Sequence, residues 1–207
     1  MKYTKIICVL DRSGSMSSIL DDAIGGFNQF LTDQQNFEGD EAVMTSLLFD
    51  DRFSYKYKDL AVQEVKPFNR ETYVPRGMTA LYDAIALAID DEIDFLGNCP
   101  LDERPNKTLC VILTDGQENS SQKFNRDQIK SLINEMKEDY HWEFIFLAAN
   151  QDAALSAEGI GISRGNSLTF DYSGEGVATA YESMSKATFN YRSAGVGEDT
   201  SNLLDQE

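Results

Sequence analysis

Asp11, Ser13 and Ser15 stand at alternate positions in the run Asp11-Arg12-Ser13-Gly14-Ser15-Met16-Ser17, so one carboxylate and two hydroxyls leave a single loop together. Side chains at i, i+2 and i+4 of a turning loop can converge on one point, and Gly14 permits the tight backbone that this requires. A second apolar run, Leu109 to Thr114, ends likewise in Asp115-Gly116. A third segment, Pro75-Arg76-Gly77-Met78-Thr79-Ala80-Leu81, brings the hydroxyl of Thr79 to the start of a helical pattern. All five groups are oxygens and two carry charge. Hard oxygen ligands of this kind select Mg²⁺, Mn²⁺ or Ca²⁺ over zinc or copper, and two carboxylates neutralise a divalent ion. So small a set leaves a coordination position for water or for a ligand from outside.

These groups act together only if the fold brings their loops to one place. Lys5 to Leu10, Ala42 to Phe49, Thr108 to Thr114 and Trp142 to Ala148 are short apolar runs suited to strands buried on both faces, with a further short strand at Ser167 to Phe170. Arg52 to Tyr57 alternates aromatic and polar residues straight after Asp50-Asp51, which predicts an antiparallel hairpin partner at the sheet edge. Between the strands, Leu20, Ile24, Phe27 and Leu31 recur at helical spacing, as do Leu81, Ile85, Ala88, Ile89 and Ile93. Ile129, Leu132, Ile133 and Met136 form a third stripe, opened by Asn125 and Gln128 at capping-box spacing, and Val177, Tyr181, Met184, Thr188 and Tyr191 form a fourth. The order predicts an α/β doubly wound three-layer α/β/α sandwich around a mostly parallel sheet of about six strands with one antiparallel edge. Ligands of such sheets bind at the carboxyl ends of the strands, at the topological switch point, which is where Asp11 and Asp115 would emerge if their strands are neighbours.

Asp11-x-Ser13-x-Ser15, Thr79 and Asp115, spread over three loops in this strand and helix order, resemble the metal ion-dependent adhesion site of the von Willebrand factor A family, a Rossmann-like fold. The resemblance spans Lys5 to about Arg192. It implies that Ser13, Ser15 and Thr79 give hydroxyl oxygens to a divalent ion, that Asp11 and Asp115 act directly or through water, and that an acidic side chain of a partner completes the metal shell. One departure is visible: the family often has two glycines before the threonine, whereas Met78 follows Gly77 here. A stiffer loop and an apolar contact for the partner are both open readings of Met78. The resemblance also implies that the last helix, 176–191, can shift when ligand binds.

With 35 Asp and Glu against 18 Lys and Arg, the formal net charge is −17, which opposes contact with nucleic acid or an anionic membrane. At 207 residues and 42% hydrophobic content, the chain suits one large domain, read as 1–192, followed by a polar, acidic, loosely held tail over 193–207. Lys2 and Lys5 precede an apolar stretch, but Ile6 to Leu10 is too short for a signal peptide and is cut off by Asp11; no stretch is long enough to span a membrane. Cys8, Cys99 and Cys110 form no CxxC pair. These features predict a cytoplasmic setting.

His141 is the only histidine and has no catalytic Ser or Cys context, so it reads as structural. Asp21-Asp22 and Asp90-Asp91 lie on the polar sides of amphipathic helices. Asn150, Gln151 and Asp152 follow a strand end and read either as a helix N-cap or as the rim of a partner site, and Arg12 and Arg76 flank the ligand loops, where they could steer an acidic partner. The leading functional reading is a non-enzymatic protein-binding module that holds a partner's acidic residue through Mg²⁺, Mn²⁺ or Ca²⁺. The alternative is a Mg²⁺-dependent phosphoryl-transfer or hydrolytic enzyme using Asp11, against which stand Ser13 and Ser15 where a second carboxylate is needed and the lack of any G-x-x-x-x-G-K-[ST] loop.

Overall fold

A computed structural model of the chain describes residues 3–149 and 153–204. Six strands, β1 (Tyr3–Asp11), β2 (Glu41–Phe49), β3 (Phe53–Ala61), β4 (Lys107–Thr114), β5 (Glu143–Ala148) and β6 (Ser167–Thr169), form one sheet in the order β3-β2-β1-β4-β5-β6. All neighbours pair in parallel except β2 and β3, which form the antiparallel edge expected from the aromatic alternation, although β3 runs on to Ala61. Five helices cover the sheet: α1 (Leu20–Gln35), α2 (Leu81–Asn98), α3 (Arg126–Tyr140), α4 (Ala153–Gly159) and α5 (Gly174–Ser193).

Side chains alternate across a strand, so each central strand feeds two cores. Ile6, Cys8 and Leu10 of β1 pack with α1 and α5, while Ile7 and Val9 pack with α2 and α3. This is a three-layer sandwich. Because α1 lies on one face and α2 on the other, the connections that lead into β1's two neighbours, β2 and β4, cross opposite faces of the sheet. The switch point therefore falls at the carboxyl ends of β1 and β4, with Asp11 opposite Phe49 of β2 and Leu10 opposite Leu113 of β4.

Local signals hold where side chains satisfy the backbone directly. Asn125 accepts from the Gln128 amide and the Gln128 side chain accepts from the Asn125 amide, completing the capping box of α3. His141 ends that helix in the left-handed conformation at φ 55°, a structural post for the sole histidine. Cys8 and Cys110 are buried, and burial pushes the Cys8 thiol up to about 12. The predicted loose tail folds back over the domain as far as Leu204. Thr200 donates to Glu143, the Leu203 amide donates to Asn166, and the Leu203 side chain is buried in the α1/α5 core. Asn150 to Asp152 lie outside the described residues.

Candidate metal centre

Asp11, the last residue of β1, is fully buried and braced on both oxygens. Oδ1 accepts from the Ser13 amide at 2.6 Å and Oδ2 from the Thr114 hydroxyl at 2.6 Å. Tyr73 fixes the same residue from behind by donating its hydroxyl to the Asp11 carbonyl. Ser13 and Ser15 then bring their hydroxyl oxygens to 3.0 Å from each other. Both face Asp115 Oδ1, at 3.4 Å from Ser13 and 2.8 Å from Ser15.

Thr79 enters from the third loop. Its amide donates to the Asn119 side chain at 2.9 Å, and its carbonyl accepts from the amides of Asn119 and Ser120. Gly77 turns the preceding chain at φ +66°, a conformation that suits glycine, and its carbonyl accepts from the Gly14 amide. A Cβ on Gly116 would stand 3.2 Å from Thr79 Oγ1 and 4.0 Å from Ser15 Oγ, so both hydroxyls lie close to the backbone after Asp115. The five oxygen-bearing residues predicted from sequence thus meet at one place.

The electrostatics are unbalanced. Burial pushes the Asp11 carboxyl up to about 6, with the nearby Asp115 adding to the effect, and burial also raises Asp115. Asp115 Oδ2 is buried with no hydrogen-bond partner. No ion pair of Asp11 or Asp115 with a basic side chain occurs among the described residues: Arg12 and Arg76 both turn to Asp50 Oδ2, at 2.9 and 2.8 Å. Two buried carboxylates, one with an orphaned oxygen, and three hydroxyls make a donor set that fits a hard divalent cation. Among the described residues no group of three or more His, Cys, Asp or Glu could hold a metal, so the candidate set depends on its hydroxyl oxygens as well as its two carboxylates.

Solved structures similar to this chain include von Willebrand factor A proteins. The mussel byssus proximal thread matrix protein 1, solved with a zinc-occupied metal ion-dependent adhesion site, superposes with a TM-score of 0.61 at 19% identity over 91% of this chain and 46% of its own. The von Willebrand factor type A protein of Catenulispora acidiphila does so at 0.61 and 13% identity, over 91% and 43%. Manganese-loaded TRAP protein of Plasmodium vivax gives 0.60 at 12% identity, over 86% and 72%. The chain has the von Willebrand factor A fold. It spans under half the length of the first two of those proteins. No family model and no curated protein matches the sequence.

Within this von Willebrand factor A fold, two expectations from sequence need revision. Arg12 is not a surface steering charge: it is 8% exposed with its Nε 2.9 Å from Asp50 Oδ2, and Arg76 shares that partner. The cytoplasmic expectation is narrowed to what is observed, that no described helix is long and apolar enough to cross a membrane. Met78 is 54% exposed, which leaves it free to touch a partner. Several supporting residues escaped the sequence reading. Thr114 and Asn119 lie beside or near Asp115 and could have been suspected, whereas Tyr73 and Tyr172 reach the site from far along the chain. The Tyr172 hydroxyl meets the Ser15 carbonyl at 2.5 Å and Ser18 Oγ at 2.6 Å.

Proposed function

We propose that this domain is a non-enzymatic, divalent-cation-dependent protein-binding module of the adhesion type. Asp11, Ser13, Ser15, Thr79 and Asp115 would hold the ion, and a carboxylate from a partner protein would complete its shell. The observation that carries this reading is the unpartnered, buried Asp115 Oδ2 beside a second buried carboxylate with no basic side chain on either. When bound, a divalent ion supplies positive charge and an electrophilic position for an outside oxygen. The chain's own residues do the positioning: Thr114 and the Ser13 amide hold Asp11 still, Asn119 holds the Thr79 backbone, and Gly77 and Gly14 tie the two loops together. The similar proteins solved with zinc and manganese support testing both ions alongside Mg²⁺ and Ca²⁺.

The test is thermal unfolding of chelator-stripped protein with each ion titrated to millimolar concentration, beside Asp115→Ala. An ion that binds only the folded state adds about 2.7 kcal/mol at a hundred times its dissociation constant. For a chain of this size that is a rise of roughly 5–10 °C in midpoint. The rise should be saturable, and the variant should lose it. A midpoint indifferent to every ion would overturn the reading. Turnover of p-nitrophenyl phosphate in Mg²⁺ would favour a hydrolytic enzyme instead; we expect none.

A further inference from the structure

Beside the candidate metal centre lies a cleft of about 270 Å³ that the five oxygen-bearing residues do not use. Its described walls come from the start of α2, the loop after β4, the end of β5, and α4 with the turn that follows it. Buried Leu81, Phe146 and Ile160 form the apolar part of its floor, Gln117 and Glu118 add polar wall, and Tyr82 and the exposed Ser156 stand towards solvent. Gly116 belongs to both places. It lines the cleft, and on its other side a Cβ would stand 3.2 Å from Thr79 Oγ1. Leu81 is two residues past Thr79, and Gly116 directly follows Asp115, so cleft and centre share a wall.

We infer that this cleft takes one uncharged apolar side chain of the same partner segment whose carboxylate is held at the centre, so that the domain recognises an acidic residue together with an adjacent Leu, Phe or similar side chain. The inference rests on the metal-dependent reading above. Three observations favour this occupant. The volume falls just below the ~300–1,000 Å³ of sites that enclose whole small molecules, which suits a single side chain. The one carboxylate among the described wall residues is already satisfied: Glu118 accepts from the amides of Tyr82, Ser120 and Ser121 and from the Ser121 hydroxyl, so it calls for no cationic guest. The cleft also adjoins the centre at Gly116, and an apolar anchor set beside a desolvated polar contact is how protein interfaces concentrate affinity.

The experiment uses acetylated, amidated tripeptides with central Glu and either Gly on both sides or Leu or Phe on one side, titrated into the protein in saturating Mg²⁺ and followed by amide NMR shifts. The peptides with Leu or Phe should bind about tenfold more tightly than Gly-Glu-Gly and should shift Gly116, Tyr82 and Ile160. Ser156→Trp, a change at an exposed position that fills the mouth, should reduce that advantage to under twofold and leave Gly-Glu-Gly binding intact. Equal Mg²⁺-dependent affinities for all peptides would overturn the cleft assignment while the metal reading stood. If Asp115→Ala bound every peptide as the wild type does, the metal reading would fail and the cleft assignment would fall with it.

Discussion

Replacing Asp11 by Asn separates the cost of the candidate centre from its use. In the metal-free protein the Asp11 carboxyl is held at about 6 rather than 3.8, chiefly by burial, so the ionised folded state is disfavoured by about 3 kcal/mol at neutral pH. Asn removes the charge and keeps the shape. One oxygen is still available for the Ser13 amide, and Thr114, whose hydroxyl also lies 3.0 Å from the Gly116 carbonyl, can donate there while accepting from the new amide. Allowing about 1 kcal/mol for poorer hydrogen bonding leaves Asp11→Asn about 2 kcal/mol more stable than wild type in chelator at pH 7, a gain of roughly 4–8 °C. The pH dependence has a defined sign. A carboxyl raised in the folded state gives it extra proton affinity, so wild-type stability from this group is complete below 3.8 and is lost as pH rises through about 6. The advantage of the variant should therefore shrink as pH falls from 7 to 4. The difference between the two proteins is the quantity to follow, because Glu92 and Glu143 are also raised by burial and contribute equally to both curves. In saturating metal the order should invert, since only the wild type gains from the ion. Urea denaturation across pH 4 to 8, with and without metal, measures all of this. A variant that is less stable than wild type in chelator by a constant amount at every pH would refute the reasoning.

Three other changes test one support of the centre and two of the wider framework. Tyr172→Phe removes the hydroxyl shared by the Ser15 carbonyl and Ser18; on an exposed residue it should cost under about 1 kcal/mol of stability, yet weaken metal affinity severalfold by calorimetric titration. Lys107→Met deletes the ammonium that donates to the carbonyls of Tyr191, Arg192 and Ala194 at 2.7–2.8 Å, and should cost about 2–4 kcal/mol in urea, because those carbonyls close the negative end of α5. Leu203→Ala should cost about 2–3 kcal/mol if the C-terminal segment is held as its contacts indicate; a loss below about 0.5 kcal/mol would mean that the segment is loosely held in solution.

Much of this molecule is written locally. The apolar runs of β1, β2, β4 and β5 and the 3.6-residue stripes of α1, α2, α3 and α5 impose their own period, and a buried parallel sheet tolerates little else in its centre. The five oxygen-bearing residues were legible for the same reason, since each sits at the end of a strand or the start of a helix whose limits the pattern marks. What was not legible depends on which distant side chain fills a gap. Nothing near Tyr73 or Tyr172 announces a hydroxyl aimed at the backbone of residues 11 or 15. Arg12 and Arg76 looked like free charges because Asp50, which takes both, reaches them only through the β1–β2 register. The segment after Ser193 is polar in composition, and its one buried anchor, Leu203, lies within a run too short to carry a period.

The treatment of buried charge elsewhere in the chain makes the candidate centre stand out. Lys5 is buried against Asp59 and Glu92, Arg12 against Asp50, and Arg192 against Asp40 and the oxygens of Gln34, while Lys107 is consumed by three carbonyls. Other buried polar atoms lack partners, Glu92 Oε1 among them, but its companion oxygen lies 2.9 Å from Lys5. Asp83, also buried without an ion pair, is met by the amides of Gln122, Lys123 and Phe124, whereas Asp11 and Asp115 lie together with no basic group on either and Asp115 Oδ2 has no partner. Folded domains are stable by only about 5–15 kcal/mol, so an uncompensated cost near 3 kcal/mol is a sizeable fraction of the whole. The chain pairs buried Lys5, Arg12 and Arg192 with carboxylates and leaves this site, at the switch point of its sheet, without a counter-charge, which is what the proposed divalent ion would supply.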